Sequence, residues 1–562
     1  MELEDRSDTE PAGEVARGGL RVCRATGEAK LVGKSLPRHT TIYQMKLIVF
    51  NCPLKINGGM IMQELNLYTI MPSSYGEKGE LLQYHKVLMH PPVFLVLESL
   101  IRRTKRTLDV KINACFINER LEKGETYLDS IKRNDLVFIT AKAFELPRAI
   151  DIAVKLKKTG IRNIIMGGPG VTLTDWKTYQ YLVREGISFN VGEGEETIPQ
   201  IIANVLDNKL QPCYWQKEYV DISKAPLPCF PSRAEAEKTI TKLAGIGSSE
   251  GCPFNCSYCT VTKIRGRESS KRRSRDPEAV VAWIEQAYHR GLPIMLTDDN
   301  LRRSFFYEEL IEGLIKLNKK LNGKLQLFVQ LDAANGVEKE AHKLARAGAR
   351  QAFFGFESVV SSSLDDVGKK HNKPNYYKKI VSAFNAEGIF VNSGCMFGFP
   401  SQTPQEIIRE AESFSKLVDL PHPYAVTPLP GSRDYEEAVA KRSLITWDPN
   451  WYDTVHCVND WFDNMTVSEA QNAYNNVFCY LFSIKHILSG PPGLRMARLK
   501  SGLYGRILAE LGRFRRDQPY HFMMDSLPRR TRVWRPKDSF CGFSLTAEDL
   551  RKKPEFLASL ST

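Results

Sequence analysis

"KLAGIGSSEGCPFNCSYCT", residues 242–260, runs a short apolar segment into a glycine-bearing turn and then sets three cysteines within eight positions. The spacing is C-x3-C-x2-C, formed by Cys252, Cys256 and Cys259. Thiolates are soft ligands suited to zinc or to iron–sulfur clusters. A structural zinc closes its tetrahedron with a second Cys or His pair at set spacing, and none stands at that distance here. A four-iron cluster gripped at three corners leaves one iron open to another ligand, which explains the missing fourth cysteine.

Working outward, the sequence alternates strand-like and helix-like segments. Downstream, "AVVAWIEQAYHRG" reads as a helix, "PIMLTDDN" a strand, "FYEELIEGLIKLNKKL" a helix, "LQLFVQLDA" a strand and "RQAFFGFES" another. "IFVNSGCMFGFP" and "YAVTPLPGS" complete about six βα units over 241–435. That number suits a partial (βα)6 barrel with its reacting groups at the strand C-termini. Upstream, over 45–215, "MKLIVFNCP", "TLDVKINAC", "NDLVFITAK", "IRNIIMGGP" and "ISFNV" read as short apolar strands between helices such as "LPRAIDIAVKLKKTG". This is an α/β pattern, a doubly wound, Rossmann-like parallel sheet. Ligands of such sheets bind beyond the strand C-termini, which makes Gly167 and Gly168 of "GGPG" and Gly192, Glu193 and Gly194 of "GEGEE" candidates. No G-x-G-x-x-G follows the first strand, so the dinucleotide pattern is missing. The proline-punctuated stretch 216–240 reads as a linker, 1–44 as a disordered extension and 436–562 as a mainly helical region.

Composition narrows the class. With 42% hydrophobic and 25% charged residues the chain reads as globular. No apolar run approaches the roughly 20 residues needed to span a bilayer. The opening "MELEDRSDTEPAGEVARGG" lacks a basic start and an apolar middle, so export is not expected and the chain is placed in the cytoplasm. Twelve unevenly spaced cysteines point to a reducing compartment. The net charge of +13 is spread along the chain, and its densest basic cluster is "KIRGRESSKRRSR", residues 263–275; without a recognisable binding module this reads as a solvated loop, and nucleic acid is not an expected partner.

A cysteine triplet in a glycine-bearing loop after the first barrel strand resembles the radical S-adenosylmethionine (SAM) superfamily. The resemblance implies a [4Fe-4S] cluster on Cys252, Cys256 and Cys259, with SAM chelating the open iron. An electron, delivered by a donor such as a flavodoxin or ferredoxin, then cleaves SAM to methionine and a 5′-deoxyadenosyl radical. Matched one by one, Tyr258 packs by the adenine, and Asp298 and Asp299 of "TDDN" stand where polar groups meet the methionyl end. That segment departs from the common glycine–glycine–glutamate form. Gln330 and Asp332 end the third strand, Glu357 matches the acidic residue that reaches SAM, and "GFP" (398–400) and "TPLPGS" (427–432) match later strand ends.

The domain in front is similar to the cobalamin (B12)-binding class. The likeness runs from Met45 to about residue 490 through "NDLVFITAKAF", "IIMGGPGVT", "VGEGEET", "CSYCTVTKIRGRE", "FFGFES" and "DPNWYDTVH". The last of these resembles B12-binding radical SAM proteins of hopanoid and related natural-product pathways. The histidine motif D-x-H-x-x-G is missing, and His85 and His90 lie outside any such context. Cobalt's lower face would then meet a non-histidine group, water or nothing. Asn51, Cys52 and the two glycine loops are the expected lining.

The resemblance implies methyl transfer to an unactivated carbon or phosphorus of a natural-product, lipid or peptide substrate. Rearrangement or cyclisation is the alternative within the class. Methylthiotransfer needs three further cluster cysteines, whereas Cys52, Cys115 and Cys213 are scattered. A non-catalytic zinc module is the alternative outside enzymology. Trp447, Trp451, Tyr452, Trp461 and Phe462 of the tail read as core more readily than as a substrate pocket.

Overall fold

A computed structural model describes residues 63–76, 79–174, 180–216, 218–267 and 270–481, with 539–540 and 543–544. All of these fall within one unit, Ile61–Thr562. Two six-stranded parallel sheets dominate it.

The first sheet comprises β1 (Glu64–Met71), β2 (Lys111–Asn118), β3 (Leu136–Thr140), β4 (Asn163–Gly167), β5 (Ser188–Val191) and β6 (Cys213–Trp215), in the order β2-β1-β3-β4-β5-β6. The order reverses between β1 and β3, which opens a crevice at their C-terminal ends. Its helices are α1 (Pro92–Leu108), α2 (Leu146–Lys158), α3 (Pro169–Leu173), α4 (Gln180–Arg184) and α5 (Thr197–Leu206). Leu100 and Ile101 of α1 pack with Ile198, Ile201 and Ile202 of α5 on one face. Ile150 and Ala153 of α2, Val171 of α3 and Leu182 of α4 cover the other. With both faces covered, β3 can be apolar throughout: Leu136, Val137, Phe138 and Ile139 are all buried.

After a short α6 (Arg233–Glu237), capped by reciprocal Ser232 and Glu235 hydrogen bonds, the second sheet begins. Its strands are β7 (Ala244–Ile246), β8 (Ile294–Leu296), β9 (Leu327–Leu331), β10 (Ala349–Glu357), β11 (Phe390–Phe397) and β12 (Leu420–Ala425), paired strictly in sequence order. Between and beyond them run α7 (Val261–Ile264), α8 (Pro277–His289), α9 (Tyr307–Lys320), α10 (Ala341–Ala347), α11 (Ser361–Asp366), α12 (Pro374–Ala386), α13 (Pro404–Leu417), α14 (Arg433–Lys441) and α15 (Val467–Leu481). Ile284, Leu314, Leu344, Ile380 and Phe414 from the helices join Leu296, Val329, Phe354 and Val391 from the strands in one core. Side chains alternate along a strand, so Phe353, Gly355 and Glu357 of β10 and Gly394 of β11 share the face away from that core. On that face a Cβ on Gly394 would lie 3.3 Å from the Phe353 ring.

The apolar run at Met45, with Asn51 and Cys52, lies outside the described residues. Two differences from the sequence reading are seen: β1, "ELNLYTIM", is a strand flanked on both sides by β2 and β3 in a stretch read as loop. In the tail, 442–466 is largely irregular where helix was expected. Asp448 accepts from the Asn450 backbone and Asp453 from those of Val455 and His456, local turns that compete with helix. A two-residue antiparallel pair, Ser539–Phe540 with Phe543–Ser544, follows in the same region. No helix among the described residues is long and apolar enough to cross a membrane.

Candidate cluster and cofactor site

The cysteines lie on an excursion clasped at its base. Glu250 N donates to Arg273 O at 3.0 Å, Arg275 N to Ser248 O at 2.8 Å, and Ser249 bridges Ser274. Cys252 N donates to Gly266 O at 3.3 Å, and Ser257 N to Val367 O at 3.0 Å, which pins the far side. Gly251, at φ 97°, turns the chain into the triplet and gives its N–H to Asp299 Oδ2 at 2.8 Å. Phe254, between the first two cysteines, stacks on His371 with ring centroids 3.6 Å apart, and the Arg303 guanidinium lies over it.

None of the three thiols is in a disulfide. Burial pushes Cys259 up to about 12 and raises Cys252 and Cys256 as well. Bound iron would displace these protons outright. Among the described residues no three His, Cys, Asp or Glu side chains draw together tightly enough for one metal ion. The donor chemistry, three soft thiols on one anchored loop, fits a cluster held at three corners.

Beside the loop, Glu357 closes β10 at φ +64°, a strained conformation for a residue with a side chain. Its Oε1 receives Lys369 Nζ at 2.9 Å and Tyr258 Oη at 3.1 Å, and Lys369 also donates to Tyr258 at 3.0 Å. The carboxylate lies over two glycines. A Cβ on Gly355 would come 2.6 Å from Oε1, and one on Gly394 3.0 Å from Oε2. Burial raises the Tyr258 phenol, so it stays a hydrogen-bond donor.

The "TDDN" segment divides its labour differently from the expectation. Asp298 is fully buried and faces the adjoining loop, accepting from Ser248 N (3.0 Å) and Oγ (2.6 Å) and from Ser249 N (2.7 Å) and Oγ (2.6 Å). Asp299 holds Gly251 and pairs at 3.9 Å with Arg265. Burial raises both carboxyls. Asn300, passed over in the sequence, reaches the cysteines: its Nδ2 is 4.0 Å from Cys252 Sγ, while its buried Oδ1 has no partner among the described residues. An orphaned acceptor beside a cluster cysteine suits the ammonium end of SAM. Gln330 sits half-buried opposite Phe353. Asp332 is taken by Arg303 at 2.8 Å and the Ala334 N–H at 2.9 Å, which hold its carboxyl low despite burial.

The first sheet's loops are busier than expected. A Cβ on Gly168 would strike Thr140 and the Ala141 backbone at 2.7–2.9 Å, so this glycine serves packing of the chain on itself. Gly192 N donates to Thr172 Oγ1, a Cβ on Gly194 would meet Ile198 at 2.6 Å, and Glu193 is engaged by Arg273. What is left open is amide. Asn190 Oδ1, on a side chain whose Cβ and Nδ2 lie near Gly167, and both polar atoms of Gln216, beside Gly192, are buried without partners among the described residues. Unpaired amides at the C-terminal ends of β5 and β6 fit a ligand rimmed with amides, as cobalamin is. His90 is buried against Phe94, and burial lowers its ring.

The basic run after the triplet is divided: Lys263, Arg267, Lys271 and Arg272 are exposed, while three arginines make structural contacts. Arg265 pairs with Glu250 at 2.6 Å, Arg273 is 3% exposed, and Arg275 donates to the carbonyls of Gly247, Ala225 and Pro226. These three side chains serve the fold, and the other four basic residues are solvated as expected. The tail aromatics pack as expected: Trp451 and Tyr452 are buried together, and Phe462 lies against Gly398.

The family model of the radical SAM superfamily matches residues 246–414. The chain is 27% identical over 341 residues to bacteriochlorophyllide d C-8(2)-methyltransferase of Chlorobaculum tepidum, covering 58% of this chain and 72% of that one. In fold it resembles the radical SAM methyltransferase TsrM of Kitasatospora setae, solved with cobalamin and a [4Fe-4S] cluster, at a TM-score of 0.54 and 15% identity over 74% of this chain and 85% of that one. The cobalamin-dependent SAM radical enzyme OxsB gives a TM-score of 0.55 and 12% identity, over 80% and 72%. The family match spans the cysteine loop and the strand ends around it, and the likenesses extend into the sheet in front. Residues 246–414 form a radical SAM domain, and the chain is similar over most of its length to cobalamin-dependent radical SAM enzymes.

Proposed function

We propose that the chain is a cobalamin-dependent methyltransferase that acts on an unactivated carbon or phosphorus of a natural-product, lipid or peptide substrate. When bound, the cluster and SAM supply a hydrogen-abstracting radical and cobalamin supplies the methyl group. The observation that carries the reading is the meeting of strand-end loops from both sheets. Leu173, after β4, packs on Gly431 of the "TPLPGS" loop; the Asn450 side chain exchanges hydrogen bonds with the Tyr75 backbone, after β1; and Glu193, after β5, grips Arg273. Loops at parallel-strand C-termini are where such sheets bind ligands. Two ligand sets turned toward one junction suit a reaction that needs both cofactors near one substrate. We read the first sheet as the cobalamin domain, 216–240 as the linker and the second sheet as the SAM domain.

The chain's residues then take definite roles. Cys252, Cys256 and Cys259 hold the cluster. Asn300 and Glu357 receive the charged and polar parts of SAM, with Lys369 hydrogen-bonded to Glu357 and Tyr258 seated among Val367, Met396, Phe399 and Val426. Asn190 and Gln216 meet the amides of cobalamin. The test is anaerobic reconstitution with cluster, SAM, reductant and hydroxocobalamin, offering candidate bacterial lipids, aromatic metabolites and peptides. Formation of both 5′-deoxyadenosine and S-adenosylhomocysteine with a methylated product supports methyl transfer. Deoxyadenosine with an unmethylated, rearranged product overturns it.

A further inference from the structure

Between the two sheets runs a chain of charges, buried at its centre, that the proposed chemistry does not use. Arg273 lies at its centre. Its Nη1 and Nη2 grip both oxygens of Glu193 at 3.0 and 2.5 Å, Nη1 donates to Val220 O at 2.7 Å, and Nη2 reaches Glu250 Oε2 at 3.1 Å. Glu193 also accepts the Val220 N–H at 2.7 Å, which fixes the linker to the same point. On the far side Glu250 pairs with Arg265 at 2.6 Å. Glu193 belongs to the loop after β5, and Glu250 stands two residues before Cys252. The path from one ligand loop to the other is therefore one carboxylate, one guanidinium and a second carboxylate.

A planar guanidinium can hold two carboxylates in fixed directions at once, which a lysine cannot. Any displacement of the 192–196 loop moves Glu193. Arg273, only 3% exposed, has no solvent to take up the change and must carry it to Glu250 and the clasp that sets the cysteines. Cation–π packing of Arg273 over Tyr219, with that phenol donating to the carbonyls of Thr262 and Lys263 just after the triplet, gives a second connection from the same residue.

We propose that Arg273 is a positioning residue that couples ligand occupancy at the 192–196 loop to the set of the cysteine loop, so that cobalamin and the cluster favour each other's binding. This rests on the reading of the first sheet as the cobalamin site. Coupling between two sites is reciprocal, and typical values run from about 5-fold to 150-fold.

The test is titration of the full-length chain with hydroxocobalamin, followed by its visible absorbance, in cluster-free and in anaerobically cluster-loaded protein. In the wild type we expect the loaded protein to bind about 10-fold more tightly. Arg273→Gln and Glu250→Gln should retain bound iron and sulfide yet bring the ratio close to one. Arg273→Lys, which keeps the charge and lacks the fork, should lower it below about threefold and serves as the milder variant if either glutamine variant fails to load. A wild-type ratio near one with both cofactors bound overturns the coupling, as does an undiminished ratio in the loaded variants. Failure of the wild type to bind hydroxocobalamin in either state instead overturns the cobalamin assignment beneath it.

Discussion

Asp298 offers the sharpest contrast between a ligand role and a structural one. Replacing it with alanine removes one carboxylate and strands four donors: two backbone N–H groups and two hydroxyls of Ser248 and Ser249. The hydroxyls can rotate, but the N–H groups are fixed by the backbone. Each buried N–H left without an acceptor costs about 1–3 kcal/mol. Two give roughly 2–6 kcal/mol, and the lost charge-assisted bonds add to this. Against it stands relief from burying a charge, visible in the upward push on the Asp298 carboxyl. Together these put the loss for Asp298→Ala at about 3 kcal/mol, with Asp298→Asn retaining about half because one oxygen remains. Urea unfolding of the cluster-free chain, monitored by tryptophan fluorescence, measures this, and iron and sulfide per chain report the effect on the cysteine loop. We expect an earlier unfolding midpoint and poor cluster loading. An unfolding curve matching wild type, full cluster loading and a selective loss of SAM affinity would refute the reasoning and restore Asp298 as a SAM ligand.

Other perturbations test separate parts of the site. Glu410 holds the Ser358–Val359 turn and Gln402, and burial pushes it from the ordinary 4.5 up to about 7. A raised carboxyl contributes stability that is full below its unfolded value and lost as pH climbs through the folded one, here from about 4.5 to about 7. Stability should therefore fall by on the order of 3 kcal/mol across that window, and Glu410→Gln should remove that component, as urea midpoints at both pH limits can show. Gly355→Ala places a methyl 2.6 Å from Glu357 Oε1 and 2.9 Å from Lys369 Nζ, so SAM affinity by equilibrium dialysis should drop at least about tenfold while cluster loading holds. Asn190→Leu with Gln216→Leu should weaken hydroxocobalamin binding and leave iron content unchanged; unaltered binding would remove both from the cobalamin site.

Much of the architecture was legible because it depends on short-range pattern. Apolar strands such as "LVFIT" and amphipathic helices such as "LPRAIDIAVKLKK" announce themselves through periodicity, and the cysteine spacing announces a soft-metal site. "ELNLYTIM" alternates as a strand does, but its apolar positions are fewer than those of the run at 45–53, which drew the reading of a first strand away from it. The site was readable at the level of segments and less so at the level of roles. "TDDN" was found, yet which of its residues turns toward Cys252 depends on backbone direction after β8, and that selected Asn300. Lys369 carried no local signal, since its partners Glu357 and Tyr258 lie 12 and 111 residues away in sequence. Arg273 stood in a basic run whose composition favours solvent. Its inward turn comes from the pairing of 248–250 with 273–275, a contact across the whole cysteine excursion.

The measurement closest to the central claim compares wild type with Cys256→Ala, both reconstituted without oxygen and given SAM and reductant. The wild type should hold about four irons and four sulfides and release 5′-deoxyadenosine. The variant, one corner short, should assemble the cluster poorly and release almost none. Zinc in place of iron in the wild type, or SAM cleavage by Cys256→Ala at the wild-type rate, would contradict a cluster held by these three cysteines.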